Sequence, residues 1–478
     1  MKTPLPSQEN LLARLDRIPL IKPIVRLLIL LACVWLAEAF DIGIVGPVMA
    51  VLKSAWHLSV ADQAWLGISS TLGVVLGMIP AGMLADRIGR RRVVIVGILV
   101  FSVITVLGSL AQSLSQLLII RFLAGLGEGA VLPLPYLYLA EFVHTKRRAV
   151  SVGIANGVLT AAYLLPNLVG SYAIHTYASS MAWRLPFLLG AIPLFLVAPL
   201  YLWLPESPRY LIKKGRILEV DSLVTRLEDA ARLPHDTSLV NPRAAAALRL
   251  ERAEETRLIH VLRRPFLTRG LITTGQLTGA LILFYILLVY GPTLLVTRGF
   301  GTGTAVLLTG IMMAIAGIGS IIQGLLSDRF GRKAILSIYF SLAAVGCVLF
   351  AASVNWWITA LAAFLSSFFG LGVFPVSKLL VAEQFPTHLR GMGVYLSEMS
   401  ARSVSGIITL AFLPFALAQF GSSVIFIAIA VILIAFMIPV WLAGRETARI
   451  SVEEAGATSL AALAREMEGN RMKVQPMP

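Results

Sequence analysis

Seven ionisable side chains fall inside long apolar stretches of the chain. At the centre of a membrane-spanning helix, each such group costs about 2.5–3.5 kcal/mol unless a partner or water compensates for it. We therefore expect these side chains to face one another or a watery cavity, where carboxyl groups suit proton exchange and cationic groups suit the binding of an anion. They are Glu38, Asp41, Arg121, Glu128, Lys378, Glu398 and Arg402.

The spacing of these residues predicts which of them meet. Glu38 and Asp41 are three residues apart and Glu398 and Arg402 are four apart, so each pair shares one helix face. Counted along the helices, Glu38, Asp41, Glu128 and Arg402 lie near the middle of a bilayer, and Arg121 lies within reach of Asp41 if its side chain points inward. The first half of the chain holds three acids against one base, and the second half one acid against two bases. This asymmetry predicts proton exchange on the first side and anion binding on the second.

Three of these residues also have a purely structural interpretation. Glu128 is either a second proton carrier or the structural partner of Arg121. Arg402 either binds a carboxylate through its bidentate guanidinium or pairs locally with Glu398 so that both are neutralised. Lys378 either faces the site or extends its ammonium group to the nearby aqueous boundary.

The elements that position these side chains are apolar helices. Of the residues, 57% are hydrophobic and 14% are charged, and the mean hydropathy is +0.83. A spanning helix needs about 20 apolar residues, and uncharged runs such as 93–120, 149–183 and 334–377 exceed that length. The sequence therefore predicts an all-α membrane protein with twelve spans, near 27–49, 63–85, 93–111, 117–140, 150–172, 185–204, 270–292, 303–326, 334–352, 357–382, 391–414 and 421–443.

The net charge of +15 sits almost entirely in alternate loops. With the N-terminus inside, only Lys53, Arg184 and Arg298 of the 40 Lys and Arg residues fall in or beside the external loops. This is the positive-inside bias of a multi-pass protein, so the basic charge does not predict a nucleic-acid partner. We expect both termini in the cytoplasm and a location in the plasma membrane, which in a bacterium is the inner membrane.

An internal repeat divides the chain into two halves. Shifted by 242 residues, the run from Asp86 aligns with the run from Asp328, and Glu141 aligns with Glu383. Repeated six-span halves are a recognised transporter plan. The sequence thus predicts a first bundle over 1–205, a linker with amphipathic cytoplasmic helices over 206–268 (at 221–233 and 243–262), a second bundle over 269–444, and a tail over 445–478 without a chemical motif.

The repeated segment resembles the loop 2–3 signature of the major facilitator superfamily. The Arg121–Gly129 segment resembles the RxxxGxxxG element of that superfamily, and the segments around Glu206 and Glu383 resemble its branch of sugar porters, organic-ion carriers and metabolite–proton symporters. The resemblance implies two bundles that rock in alternating access. It also implies that the following residues control this conformational gating: Gly82, Asp86, Arg87, Gly89, Arg90, Glu141, Arg148, Glu206 and Arg209 in the first half, and Asp328, Arg329, Gly331, Arg332, Glu383 and Arg390 in the second.

Within this branch, the sequence departs from the sugar porters. Span 7 has Gln276 without the second Gln and the following Asn of the sugar porters, and Lys378 stands where their span 10 has Trp. Span 1, from Glu38 to Gly46, resembles instead the DGxD-type element of aromatic-acid and nicotinate proton symporters. Arg402 is placed like the basic residue of organic-anion carriers. These resemblances imply proton-coupled symport of a small organic anion; the alternative is a sugar or polyol porter, or an organic-ion uniporter or exporter.

We therefore expect one central site between the two halves. Its proton-coupling residues are Asp41, Glu38, Arg121 and Glu128. Its substrate-binding residues are Arg402, Lys378 and Glu398, with Gln276, Tyr285, Trp35, Asn156 and Tyr163 as candidate lining, although helix packing alone also accounts for each of the last five.

Other classes of protein have little support in the sequence. It lacks HExxH, Walker A and GxSxG motifs and has only two cysteines, Cys33 and Cys347, so no enzyme, receptor, metal site or disulfide framework is predicted. A channel is disfavoured because no pore-loop repeat is visible. We expect no cofactor, a small organic substrate and a proton as ligands, the lipid bilayer as surroundings, and function as a monomer.

Overall fold

A computed structural model describes residues 7–143, 148–236, 266–353, 355–385, 387–444 and 446. Within these ranges the chain is helical and has no strand. Eleven helical segments are long and apolar enough to cross a membrane. The last of them, Met392–Ala443, has 52 residues and is interrupted at Gly421, whose φ of +75° is not helical, so it forms two spans. The described residues therefore contain twelve spans, as predicted.

The helices of the first half are the following. Span 1 is Lys22–Gly43 and Val45–Ala55, span 2 is Val60–Ile88, span 3 is Arg90–Gly108, span 4 is Leu114–Val131 and Leu134–Phe142, span 5 is Arg148–Ala162 and Leu164–Thr176, and span 6 is Ser179–Ala182, Arg184–Leu189, Ile192–Leu196 and Val197–Trp203.

The second half repeats this order. Span 7 is Phe266–Val296, span 8 is Thr302–Phe330, span 9 is Arg332–Ala352, and span 10 is Trp356–Leu365, Ser366–Leu371 and Phe374–Glu383. Span 11 is Thr387–Arg402 and Ser403–Thr409 with the start of Leu410–Ala443, and span 12 is the part of that helix after Gly421.

The repeat of the sequence is also a repeat of backbone conformation. Gly89 has φ +103° and ψ 151° between spans 2 and 3, and Gly331 has φ +94° and ψ 152° between spans 8 and 9. Only glycine adopts this region readily, so the same residue is required at both positions. The all-α fold of two symmetric six-helix bundles, predicted from the internal repeat, is confirmed.

Local sequence explains where several spans begin. Ser59 accepts a hydrogen bond from the Asp62 backbone amide while the Asp62 carboxylate accepts one from Ser59, which is a capping box at the start of span 2. Ser113 and Asn355 cap the starts of spans 4 and 10 with one hydrogen bond each, which the side-chain oxygen accepts from a backbone amide.

The helices are irregular where the intramembrane charges lie. Span 1 is interrupted at Ile44, three residues after Asp41. In span 11 a π-helical segment, Ser403–Thr409, follows directly after Arg402, and span 10 has a similar segment at Ser366–Leu371. Such irregular turns are frequent at functional sites because they redirect side chains and release backbone groups.

The two bundles meet through small residues. A Cβ at Gly317 of span 8 would lie 2.6 Å from the Gly157 carbonyl of span 5, and one at Gly46 of span 1 would lie 2.5 Å from the Leu288 carbonyl of span 7. Tyr290 of span 7 also donates to the Gln63 carbonyl of span 2 at 3.0 Å. The last two contacts close the bundle interface on the face opposite Gly89 and Gly331.

The face that contains Gly89 and Gly331 carries two further helices, and we call it the basic face because arginines cluster there. They are an N-terminal helix, Gln8–Asp16, and a linker helix, Ile217–Ala231. The linker helix begins four residues before the predicted segment 221–233, and the predicted segment 243–262 lies outside the described residues. The N-terminal helix was not predicted, because it is short and polar.

An arginine–carboxylate cluster clamps these two helices together. Buried Arg14 donates to Glu228 at 2.6 Å and to Asp221 at 2.8 Å, and Arg17 donates to Glu228 as well. Burial by itself would raise the pKa of Glu228, but the hydrogen bonds from Arg14 and Arg17 outweigh burial and lower the pKa from its ordinary value of 4.5. The cluster is therefore ionised at neutral pH.

We expect Glu228→Gln to release the N-terminal helix from the linker helix, because it leaves the buried Arg14 guanidinium without its carboxylate. Breaking a buried pair costs about 3–5 kcal/mol, so hydrogen-exchange protection of both helices should fall roughly 100-fold. Asp229→Asn, at an exposed position of the same helix, is the matched control and should change protection little.

The same clamp should weaken in acid. Because the pKa of Glu228 is lowered, the stabilisation is complete above about pH 4.5 and is lost as the pH falls through the lowered pKa. Protection of the two helices in the unmodified chain should decline over this range. Equal protection in the Glu228→Gln and Asp229→Asn variants would contradict the clamp.

Candidate functional site

Asp41 and Arg121 form a buried ion pair between spans 1 and 4. Arg121 donates to the Asp41 carboxylate at 3.0 Å and to the Asp41 backbone carbonyl at 3.2 Å. Thr105 of span 3 donates its hydroxyl to the other carboxylate oxygen of Asp41. The contact of Asp41 with Arg121 is the one that the spacing predicted. Thr105 was missed, although a hydroxyl in the middle of an uncharged run is a signal for it.

Glu128 is the third member of this cluster. Its carboxyl oxygen lies 4.0 Å from the Arg121 guanidinium, and Ser70 of span 2 donates to it at 3.2 Å. All of these side chains are buried. One guanidinium therefore lies between two carboxyl groups, and the group of three is electrically neutral only when one of the acids holds a proton.

Glu38 lies one helical turn from Asp41 but outside this cluster. It is fully buried, and neither of its carboxyl oxygens has a hydrogen-bond partner among the described residues. Its charge interacts instead with those of Arg402 and Lys378 across the interface between the bundles. Glu38 therefore belongs to the space shared by the two halves.

In the second bundle, the Glu398 carboxylate contacts both cationic side chains, those of Arg402 and Lys378. Arg402 donates to it at 3.2 Å, and the Lys378 ammonium lies 3.6 Å from its other oxygen. Arg402 also donates to the Tyr285 hydroxyl at 3.0 Å. The local pair of Arg402 with Glu398 is thus present, but it is part of a larger network that includes span 7.

Lys378 faces the first bundle. Its ammonium lies 3.4 Å from the Tyr136 hydroxyl of span 4 and 4.7 Å from the centre of that ring. The Lys378 side chain is 19% exposed and that of Glu398 is 13% exposed, whereas Glu38 and Asp41 are almost completely buried. The remaining access to the site is therefore on the side of these second-bundle charges.

Aromatic rings line the same space. Trp35 and Tyr136 are 4.7 Å apart, and the Phe284 ring lies 5.4 Å from Tyr163 and 5.3 Å from Tyr285. Trp35, Tyr163 and Tyr285 were predicted as lining, whereas Tyr136 and Phe284 were not. An isolated aromatic in an apolar span gives no sign of whether it packs against a neighbouring helix or faces the interface.

Four buried polar side chains around this space have unused hydrogen-bonding atoms. Among the described residues, no partner is found for the Trp35 indole N–H, the Glu38 carboxyl oxygens, the Asn156 amide nitrogen or the Gln276 amide oxygen. Asn156 uses its oxygen to accept from Tyr136 at 3.0 Å, and Gln276 uses its nitrogen to donate to the Ser377 carbonyl at 3.2 Å. Buried polar groups are rarely left unpaired, so these atoms are available to a bound molecule.

A second set of predicted residues forms a network at the basic face. The Glu206 carboxylate accepts from the backbone amides of Arg90 and Arg91 at 3.0 and 3.2 Å, which caps the start of span 3. The Arg90 guanidinium pairs with Glu141, and Ser207 donates to Glu141 at 2.6 Å. Glu206 and Glu141 thereby tie the ends of spans 4 and 6 to the start of span 3.

The second half has the same network, and only the acid that caps its third span departs from the 242-residue offset. Arg332 pairs with Glu383 at 2.7 Å, as Arg90 pairs with Glu141. The Glu446 carboxylate accepts from the backbone amides of Arg332 and Lys333 at 2.9 and 3.0 Å, as Glu206 does in the first half. Glu446 lies in the predicted tail, and its role as a helix cap was not predicted. The signal for it is an acid just after span 12. This acid was missed because its offset from Glu206 is 240 and not 242.

The remaining predicted gating residues lie at the basic face or outside the described side chains. Asp86 pairs with Lys213 at 2.8 Å, Arg87 and Arg209 are exposed, Arg329 lies over the Phe330 ring, and no atom lies within 4 Å of the position of a Cβ at Gly82. The side chains of Arg148, Asp328 and Arg390 are outside the described part of the chain.

Twelve spans in two symmetric bundles, with buried charges at their interface, define a transporter of the major facilitator fold. Residues 27–458 match the family described as "Sugar (and other) transporter", and the chain belongs to this family. The prediction of a multi-pass secondary transporter, rather than an enzyme, is confirmed.

Similar proteins differ in what their names say they carry. The niacin transporter NiaP of Acinetobacter baylyi is 27% identical over 94% of this chain and 100% of its own length. The benzoate transport protein of the same organism is 28% identical over 64% of this chain and 65% of its own length. A structure of the proton:xylose symporter XylE bound to 6-bromo-6-deoxy-D-glucose matches with a TM-score of 0.74 over 91% of this chain and 98% of that one, and its 19% identity shows the fold alone.

We expect Gly89→Ala to reduce transport severely. Its backbone lies in a region that other residues adopt only at a cost of about 1–3 kcal/mol, and the new Cβ would lie 2.2 Å from the Glu206 carboxylate. The change therefore breaks the cap of span 3 as well as straining the turn. Initial uptake rates in vesicles, normalised to the amount of folded protein, measure the effect.

Gly301→Ala is the matched control. Gly301 also directly precedes a span, but it has φ −62° and no atom within 4 Å of the position of a Cβ. The initial uptake rate of this variant should stay within about twofold of that of the unmodified chain, because substitutions at unstrained surface positions have small effects. Similar losses in both variants would mean that the Glu206 cap has no particular importance.

Proposed function

We propose that this transporter is a proton-coupled symporter for a small organic anion that has an aromatic ring, such as a benzene or pyridine carboxylate. The observation that supports it most directly is the unpaired, buried Glu38 carboxyl group opposite Arg402 and Lys378. We also take the basic face to be cytoplasmic, because loops rich in Lys and Arg remain on the cytoplasmic side of the membrane during insertion.

The charges at the bundle interface support coupling between proton and anion. Glu38 and Glu398 together balance Lys378 and Arg402, so these four groups have no net charge when all are ionised. A proton on Glu38 leaves one positive charge in excess, which suits one carboxylate. Binding of a proton and of an anion then favour each other, since either one alone leaves a buried charge uncompensated.

The Asp41 cluster supplies a second proton position. When Asp41 is ionised, Arg121 and Thr105 hold it. A proton on Asp41 weakens its hold on Arg121, and Glu128 lies close enough to take over this guanidinium. Because Asp41 is on span 1 and Arg121 on span 4, this exchange changes how the spans of the first bundle hold together, which is what coupling to a conformational change requires.

The aromatic lining supports a ring-shaped substrate. Trp35, Tyr136, Tyr163, Phe284 and Tyr285 provide flat apolar surfaces close to the cationic groups. Rings prefer offset or edge-to-face contact with other rings, so an aromatic acid gains from both its ring and its carboxylate. The similarity to relatives named as niacin and benzoate transporters agrees with this class.

A sugar or polyol is the second candidate. The unused amide atoms of Gln276 and Asn156 suit hydroxyl groups, and the fold matches that of a xylose symporter. A neutral sugar, however, leaves the excess positive charge uncompensated once Glu38 is protonated. The organic anion is therefore the first choice.

We expect Asp41→Asn to abolish accumulation driven by a pH gradient while counterflow exchange remains measurable. The amide keeps the shape of the side chain but cannot take up a proton, so binding and rocking persist without coupling. Proteoliposomes with an imposed pH gradient and labelled substrate measure both modes. Exposed Asp229→Asn is the control and should retain both. Loss of both modes in Asp41→Asn would indicate a structural role instead.

We expect labelled benzoate or nicotinate, but not xylose, to accumulate in such proteoliposomes. Arg402→Gln should raise the KM for the acid about 10- to 100-fold, because a charge-assisted hydrogen bond contributes about 1.5–3 kcal/mol. Lys22→Gln, an exposed cation at the start of span 1, should leave the KM unchanged. Accumulation of xylose without that of either acid would favour the sugar porter.

A further inference from the structure

A cavity of about 750 Å³ lies at the basic face of the first bundle, separate from the site between the bundles. Its walls are the start of spans 1 and 3 and the end of span 6. The linker helix covers it through Glu219, Ser222, Leu223, Arg226 and Leu227. The cavity therefore lies where a spanning bundle meets the membrane boundary.

Arginine dominates the polar lining of this cavity. Two acids are present, but both are engaged: Glu206 caps the start of span 3, and Glu219 pairs with Arg216. The arginines that line the cavity are Arg26, Arg91, Arg92, Arg216 and Arg226. The charge balance of the lining is strongly positive even after both acids are counted.

Three of these arginines have no ion pair with any described residue. The Arg226 guanidinium donates only to the Ser222 carbonyl of its own helix, at 3.2 Å, and Arg26 lies 5.6 Å from the centre of the Trp203 ring. Arg92 is exposed beside them. Planar guanidinium groups gathered from three separate elements around one cavity suit an anion with several oxygens, such as a phosphate group.

Most of the uncharged lining is apolar. Ile24 and Leu27 of span 1, Ile95 of span 3 and Leu204 after span 6 face the same cavity. Trp203 at the end of span 6 also lines the cavity and is 48% exposed, and aromatic residues of this kind concentrate at the headgroup level of a bilayer. A ligand that fills the cavity therefore has both a phosphate and an apolar portion.

We propose that this cavity binds the headgroup of an anionic phospholipid, with its phosphate among Arg26, Arg92 and Arg226 and its acyl chains along spans 1, 3 and 6. Basic pockets between spans at a membrane boundary bind such headgroups. The bound lipid joins the linker helix to the first bundle beside Glu206, so it supports the network that caps span 3.

The test compares the purified full-length chain, in mild detergent, with phosphatidylglycerol, phosphatidylcholine or inorganic phosphate added. Phosphatidylglycerol should raise the thermal midpoint by roughly 3 °C or more, and native mass spectrometry should show one retained molecule per chain. The Arg26→Gln/Arg226→Gln variant should lose most of this rise and at least about 10-fold in retained lipid. Lys22→Gln/Arg232→Gln removes the same charge from span 1 and the linker helix outside the cavity and should keep both.

Three outcomes would overturn the proposal. Equal losses in the two double variants would indicate attraction to general surface charge. An equal rise with phosphatidylcholine would indicate an apolar groove without headgroup selection. A full rise with inorganic phosphate alone would indicate a site for a free anion.

Discussion

Charge neutralisation inside the bilayer is the constraint on which the rest of this structure depends. Hydrocarbon offers no water to an ionised side chain, so each buried charge needs a partner, either on the same helix or on a neighbouring one. Asp41 meets this need through Arg121, and Glu398 meets it for both Arg402 and Lys378. These contacts fix how spans 1 and 4 and spans 10 and 11 lie against each other. Glu38, whose oxygens have no donor among the described residues, is the exception that marks the shared space.

The sequence was sufficient to predict the architecture, because the sequence features that indicate it are long or repeated. Twelve apolar runs, the 242-residue repeat and the pattern of Lys and Arg all indicate one fold. It was also sufficient for contacts within one helix or between helices at equal depth, such as Glu398 with Arg402 and Asp41 with Arg121. In each case, the distance along the chain translates directly into a position in space.

Contacts across the bundles could not be predicted in this way. Tyr136 meets Lys378 and Asn156 only because spans 4, 5 and 10 converge, and no spacing within one span encodes that convergence. Glu446 was missed for a different reason. Its role as a helix cap depends on backbone amides of span 9, and such amides exist at the start of every helix, so the only sequence signal was an acid just after span 12, outside the 242-residue register.

The two caps also have a consequence for how the chain holds together. Glu206 and Glu446 each follow the last span of a bundle and accept hydrogen bonds from the backbone amides that begin the third span of the same bundle. Each bundle therefore has its own contact between these spans. The clamp between the N-terminal and linker helices likewise joins segments on the first-bundle side. The covalent connection between the halves is thus not what holds either half in shape. Two separately produced polypeptides, divided after the linker helix, would each keep the cap and clamp contacts described above, and the glycine contacts of spans 5 and 8 would lie between them.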